Sequence, residues 1–267
     1  MWPRKKKYLK SDIPVTKLKQ NLKPDLLPAH VAMIMDGNGR WAKKRLINRV
    51  KGHEKGSQTV RDVVSACREL GIGILTLYAF STENWGRPKA EVKALMILLK
   101  RFLVSERDEM NAQGIRLNIL GQIEKLPDDV RKEAIQTMAL TRKNSDMILN
   151  LALSYGAREE ITQAVKIIAR KIKAGHLKDE DITDQVICDH LYTAGMVDPD
   201  IIIRTSGEFR LSNFMLWQAA YSELFVTQTL WPDFTKQELH EILINFQQRD
   251  RRFGKVKCNT SNDGSPQ

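Results

Sequence analysis

Short apolar runs alternate with longer stretches in which apolar residues recur at spacings of three and four. The runs predict strands at 30–35, 74–80, 115–120, 147–153, 200–204 and 223–227. The stretches predict helices near 41–47, 54–70, 88–112, 128–142, 157–173, 182–193 and 235–250. Pro88 suits a first helical turn, and Gly71 and Gly114 suit helix ends. Strand and helix alternating in this way imply an α/β fold. Its mostly parallel, six-stranded sheet is flanked by helices in a single domain. Within 88–112, Val92, Leu95, Met96, Leu99, Phe102 and Leu103 form one stripe. Such a stripe ordinarily packs on the sheet. The alternative is that part of it lines an apolar tunnel between sheet and helices.

In an open parallel sheet, ligands bind beyond the carboxyl ends of the strands. After the first strand come Asp36, Gly37, Asn38, Gly39 and Arg40. Two glycines allow a tight turn with N–H groups facing outward, and Arg40 adds a cation. Asp36 would repel a phosphate unless a divalent cation bridged the two, so the segment suggests a magnesium–diphosphate site. A plain hairpin turn is the ordinary alternative. After the second strand come Ser81, Thr82, Glu83, Asn84, Trp85, Gly86 and Arg87. After the fourth come Ser154, Tyr155 and Gly156, and after the fifth the run Arg204–Asn213. Arg and glycine turns on one rim suggest more than one phosphate group. The third strand end, Gly121-Gln122, is plainer.

Composition removes several classes. The 267 residues hold a net charge of +11, of which 1–28 carry +6 and 249–267 carry +3, leaving +2 between them. A nucleic-acid binder would place its surplus on the folded body, so none is expected as a partner. A basic arm over 1–28 can touch an anionic membrane surface or remain a solvated tail. Residues 258–267 read as a disordered tail, leaving 29–257 as the folded domain. No apolar stretch is long enough to span a bilayer. Cys67, Cys188 and Cys258 are scattered, which suits a reducing cytoplasm and disfavours a zinc site. The chain lacks GxxxxGK[ST], lacks GxGxxG after the first strand, and lacks DDxxD; Asp181–Asp184 reads as a charged helix start. His53, alone before a helix, would ordinarily be structural.

Five segments carry a resemblance: HVAMIMDGNGRW (30–41), RVKGHEKG (49–56), TLYAFSTENWGRP (76–88), IRTSGEFRLSNFMLW (203–217) and AYSELFVTQTLWPDF (220–234). The chain resembles the cis-prenyltransferases, above all their bacterial undecaprenyl diphosphate synthase branch, from about Pro28 to Gly254. The resemblance implies condensation of isopentenyl diphosphate onto an allylic diphosphate, farnesyl diphosphate, with a cis double bond formed each cycle. It implies a long product of undecaprenyl class, a precursor of the lipid carrier for cell-wall synthesis. Asp36 would be essential and would hold Mg²⁺, with Glu223 a further metal ligand and Asn84 catalytic. Gly37, Asn38, Gly39, Arg40, Arg49 and His53 would hold the allylic diphosphate, with Trp41 also binding substrate. Arg204, Arg210 and Ser212 would hold that of isopentenyl diphosphate. Ser81, Asn84, Trp85 and Arg87 would form a mobile loop organising both, with Thr82, Glu83 and Glu91 also binding substrate. Arg252 and Gly254 would reach across a homodimer, and Ala79 and Met147 would mark the far end of a chain-length tunnel. Location would be cytoplasmic, with possible peripheral contact at the inner membrane face.

One departure stands out: Phe209 occupies a position where some relatives carry a metal-ligating His. A short-chain cis-synthase shares every motif. A non-catalytic partner subunit would lose catalytic motif residues, and Asp36, Asn84, Arg204 and Arg210 are all present.

Overall fold

In the computed structural model, residues 21–249 are described. The proposed roles of Arg252, Gly254 and the tail 258–267 lie outside them, as does most of the basic arm. Six strands form one sheet: β1 (His30–Ile34), β2 (Ile74–Ser81), β3 (Ile115–Leu120), β4 (Met147–Tyr155), β5 (Ile201–Arg204) and β6 (Glu223–Val226). Their order is β3-β4-β2-β1-β5-β6, and every pairing is parallel. The sheet is therefore wholly parallel, with both faces covered, and the α/β expectation holds.

Period-2 alternation sends side chains to two cores. Val31 and Met33 of β1 join Leu75, Leu77, Leu149, Ile201 and Ile203 on one face. Ala32 and Ile34 join Ile202, Ala152 and Phe214 on the other. The first face is covered by α2 (Arg49–Leu70), α3 (Lys89–Ser105), α5 (Asp128–Thr141) and α8 (Lys236–Gln247). α6 (Ala157–Lys173) buries Ala157, Ala164 and Ile168. Two short helices, α1 (Asn38–Lys44) and α4 (Arg107–Ala112), follow β1 and α3, and α7 (Asp184–Cys188) precedes β5.

Several boundaries differ from expectation. α1 starts within the glycine turn at Asn38, not at 41. α2 starts at Arg49 rather than 54, because the Asn48 side chain caps it by accepting from Val50 N at 2.9 Å. The 88–112 helix is two: the chain bends at Glu106, whose carboxylate accepts from Arg61 Nε at 2.8 Å. The 182–193 helix shrinks to five residues. Gly71 does end α2, in the left-handed region at φ 78°. The packed body also begins earlier than residue 29. Leu22 is buried, and the Lys23 backbone exchanges hydrogen bonds with the Gln247 side chain at 3.1 and 2.7 Å. Among the described residues, no helix is long and apolar enough to cross a membrane.

Candidate active site

All six strands point the same way, so β1, β2, β4 and β5 deliver their following loops to one rim. Asp36 leaves β1 with its N–H bonded to Ile34 O at 3.0 Å. Its own carbonyl accepts from Trp231 N at 3.0 Å and Thr205 Oγ1 at 2.6 Å. Gly37 then adopts φ 114°, and a Cβ there would lie 3.0 Å from Leu230 Cα, so only glycine fits this turn.

The Asp36 carboxylate meets two guanidinium groups. Arg204 Nη2 donates to Oδ2 at 2.9 Å, and Arg40 Nη2 lies 3.4 Å from the same oxygen. Burial works against the charged form of Asp36. The hydrogen bond and charge of Arg204, joined by Arg40, outweigh it and hold the carboxyl below its ordinary value. Arg204 is itself only 4% exposed at its side chain. Its Nη1 donates to Ser212 Oγ at 2.7 Å and to the Arg210 carbonyl. Glu208 bridges Arg40, at 3.0 Å, and Arg210.

A second cationic group lies against the glycine turn, where a Cβ at Gly39 would fall 2.6 Å from Arg49 Nε. Glu91, 12% exposed, accepts from Arg49 at 3.3 Å and from Arg87 at 3.1 Å. His53 sits beside them. Burial, then the charges of Arg87 and Arg49, push its pKa down to about 4 against the pull of Glu91, so its imidazole is neutral at pH 7. Three buried polar atoms here have no partner within the protein: Asn38 Oδ1, His53 Nε2 and Arg204 Nε. Hydrogen-bonding capacity is thus left for a ligand.

These groups surround a cavity of about 670 Å³. Its rim holds Asp36, Gly37, Asn38, Gly39, Arg40, Arg49, His53, Ser81, Glu83, Asn84, Arg87, Arg204 and Ser212. Its wall is apolar, made by Leu95, Leu99 and Phe102 of α3 facing Leu77, Leu151 and Leu153 of the sheet. Phe102 also lines a smaller cavity of about 230 Å³ with Val64, Ile115 and Leu149. One end of the main cavity suits phosphate oxygens and the other suits hydrocarbon.

Residues 34–254 match a protein-family model described as "Putative undecaprenyl diphosphate synthase". The chain belongs to this prenyltransferase family. An isoprenyl transferase of Geobacter sulfurreducens is 53% identical over 235 residues, 88% of this chain and 96% of that one. Another, of Geobacillus kaustophilus, is 50% identical over 258 residues, 97% of this chain and 100% of the relative. The crystal structure of lavandulyl diphosphate synthase from Lavandula x intermedia, in complex with dimethylallyl diphosphate, superposes with TM-score 0.85 at 36% identity. It covers 86% of this chain and 100% of its own. A probable undecaprenyl diphosphate synthase from Campylobacter jejuni gives TM-score 0.71 at 34% identity, covering 85% and 99%.

In this prenyltransferase several expected site residues stand away from the cavity. Trp41 donates from Nε1 to Asp233 Oδ1 at 2.6 Å and lies under the Arg45 guanidinium. Trp85 donates to Ser154 Oγ at 2.9 Å and lines a separate surface pocket with Val92 and Ile97. Arg210 is paired to Glu208 outside the lining. Ala79 does line the cavity, but as the extra residue of a bulge near the end of β2, close to the mouth rather than at the far end. Met147 opens β4, is fully buried, and is not among the lining residues. Glu223 opens β6, whose Val226 end pairs with Arg204. In a parallel sheet that puts Glu223 on the rim opposite Asp36, where it pairs with Arg249. Within one chain the two cannot share a metal. The sequence reading set Glu208 and Asn213 in a rim loop without giving either a role, and missed Gly56 and Val60, which line the cavity from α2.

Proposed function

We propose that the cavity binds farnesyl diphosphate as the allylic substrate and isopentenyl diphosphate as the second, and condenses them repeatedly into a long cis-polyprenyl diphosphate of undecaprenyl class. The observation that supports this reading is the gradient along one cavity, from clustered guanidiniums to an unbroken apolar wall. The lavender relative, solved with an allylic diphosphate, agrees in ligand class.

Each cycle breaks the allylic C–O bond, forms a C–C bond to isopentenyl diphosphate and releases a proton. Charge gathers on the departing diphosphate, so preorganised donors lower the barrier there. Arg40, Arg49 and neutral His53 would hold the allylic diphosphate, beside the turn amides of Gly37 to Gly39. Arg204 and Ser212 would hold that of isopentenyl diphosphate. The apolar wall would exclude water from the allylic cation and take up the growing chain, at roughly 0.8 kcal/mol per buried CH₂.

Mg²⁺ fits this site. Among the described residues, no cluster of three or more His, Cys, Asp or Glu could cage a metal. Mg²⁺ instead favours one or two carboxylates together with substrate phosphate oxygens and water, which Asp36 alone can satisfy. Bound there, it would neutralise the developing charge of the leaving group. A homodimer fits the sheet edge, where β6 ends the order and Tyr221 and Leu224 are exposed. Peripheral contact with an anionic membrane would fall to the basic residues 4–7.

The test is incubation with farnesyl diphosphate, labelled isopentenyl diphosphate and Mg²⁺, followed by product sizing. Many additions per starter are expected, and EDTA should stop them. A product that ends after one or two additions would make this a short-chain synthase. No incorporation with any allylic starter would overturn the reading.

A further inference from the structure

Beyond the groups that face the cavity centre, one side chain joins parts of the site that are far apart in sequence. Asn213 closes the loop that carries Arg204 and Ser212. Its backbone carbonyl accepts from Ala157 N at 2.8 Å, and its Oδ1 accepts from Arg158 N at 2.9 Å. It thus caps the first turn of α6, a helix of 17 residues. Its Nδ2 turns the other way, donating to Glu83 Oε1 at 3.0 Å and to Glu159 Oε2 at 3.1 Å. Glu83 belongs to the Thr82–Gly86 turn after β2.

Three chain segments converge at this point over Gly156. A Cβ there would fall 2.1 Å from Glu159 Oε2, 2.6 Å from Asn213 Nδ2 and 2.8 Å from Thr82 Oγ1. The loop backbone is held in an unfavourable shape, with Ser212 at φ 51°, Asn213 at φ 62° and Met215 at φ 47°. Such conformations persist when surrounding bonds over-determine them. The neighbouring Ser212 takes the Arg204 guanidinium on its hydroxyl, and its carbonyl accepts from Tyr78 OH at 3.3 Å. On the other side, Asn84 Oδ1 accepts from Ser81 N at 3.2 Å, which closes the turn that contains Glu83.

We propose that Asn213 is a positioning residue that fixes the Ser81–Gly86 turn against the Thr205–Asn213 loop and so sets the spacing of the two diphosphate subsites. This rests on the two-diphosphate reading given above. A helix cap alone would accept Asp as readily as Asn. The amide is required because carboxylates stand on its far side, and only a donor fits between the cap and Glu83 with Glu159.

Asn213→Asp isolates that requirement, since it keeps the cap acceptor and removes the donor. Melting temperature should fall by about 2–4 °C, because two hydrogen bonds are lost and a third carboxylate joins Glu83 and Glu159. Hydrogen exchange in 81–87 and in 205–215 should both accelerate, kcat should fall at least tenfold, and KM for both substrates should rise. Asn213→Gly suits the left-handed backbone, so it should fold while losing cap and coupling together. The decisive measurement is the cycle with Glu83→Gln, which returns a donor from the opposite side. Glu83→Gln should harm wild type more than it harms Asn213→Asp. Additive effects, or an Asn213→Asp variant with wild-type exchange and kinetics, would overturn the proposal. An Asn213→Gly variant that melts low while Asn213→Asp matches wild type in melting, exchange and kinetics would reduce Asn213 to a cap and likewise overturn it. If wild type makes no polyprenyl product, the functional reading fails, while the exchange experiment still decides the coupling.

Discussion

Asp36 serves the protein even without substrate, as the counter-ion of a buried guanidinium. Asp36→Ala would strip Arg204, 4% exposed at its side chain, of its carboxylate partner. Breaking a buried pair from one side costs about 3–5 kcal/mol. The Asp36 side chain is 29% exposed, so water can replace part of the loss, and Ser212 Oγ and the Arg210 carbonyl still accept from Arg204. The expected cost is therefore about 2 kcal/mol, or a melting temperature lower by about 4–8 °C. Metal-free inorganic diphosphate should reverse this. It offers Arg204 a new partner in the variant, whereas in wild type the Asp36 carboxylate repels it. Thermal melts of both proteins, with and without millimolar diphosphate in EDTA, read the effect through ligand linkage. With Asp36 as the metal ligand, turnover with Mg²⁺ should drop below about a tenth of wild type, since Glu83, the other carboxylate of the rim, is held by Asn213. A variant that melts within 1 °C of wild type, or diphosphate that stabilises wild type more, would refute the counter-ion argument.

Ser212→Ala should raise KM for isopentenyl diphosphate, because its hydroxyl lines the cavity beside Arg204; a change confined to the farnesyl diphosphate KM would mean the two subsites are exchanged. Ala79→Leu puts bulk at the cavity wall and should shorten the product, as sizing would show, while a wild-type distribution at normal rate would remove Ala79 from the path. Met147→Ala should cost about 2–5 kcal/mol in chemical denaturation with product length unchanged, since Met147 is core rather than lining. Acidification from about pH 6.5 toward 4 should destabilise the protein: His53 protonates near 4 when folded but near 6.5 when unfolded, so the unfolded chain binds the extra proton in that window. His53→Gln should flatten this slope in pH-dependent melts.

The strands were legible because one period fixes both their positions and their faces. Val31 and Met33 point to one core and Ala32 and Ile34 to the other. Helix ends were less so. Arg49 to Gly52 looks like loop, with a glycine and two cations, yet Asn48 caps a helix there. After Cys188 the apolar spacing continues, but the chain leaves the helix for turns. The site loops could be read because parallel strands send every following loop to one rim. By the same logic Glu223 could have been set aside, since a residue that opens a strand lies on the opposite rim.

What the sequence could not show was the pairing of charges across the rim. Arg204 finds Asp36 from 168 positions away, and Arg40 finds Glu208 in the same loop system. Arg49 and Arg87 share Glu91. Guanidiniums that look free in a motif are therefore already held, at fixed places, by carboxylates. That arrangement has a chemical consequence. A diphosphate entering the rim competes with carboxylates for donors that need not be reoriented, so little ordering remains to be done as its charge grows. It also meets those carboxylates as like charges. Asp36, beside the glycine turn that lines the cavity, is the one whose repulsion a bridging divalent cation would turn into attraction under the proposed reading. Of the other carboxylates, Glu83 is held by Asn213, and Glu91 and Glu208 are each engaged by two arginines and stand as spacers between the cations.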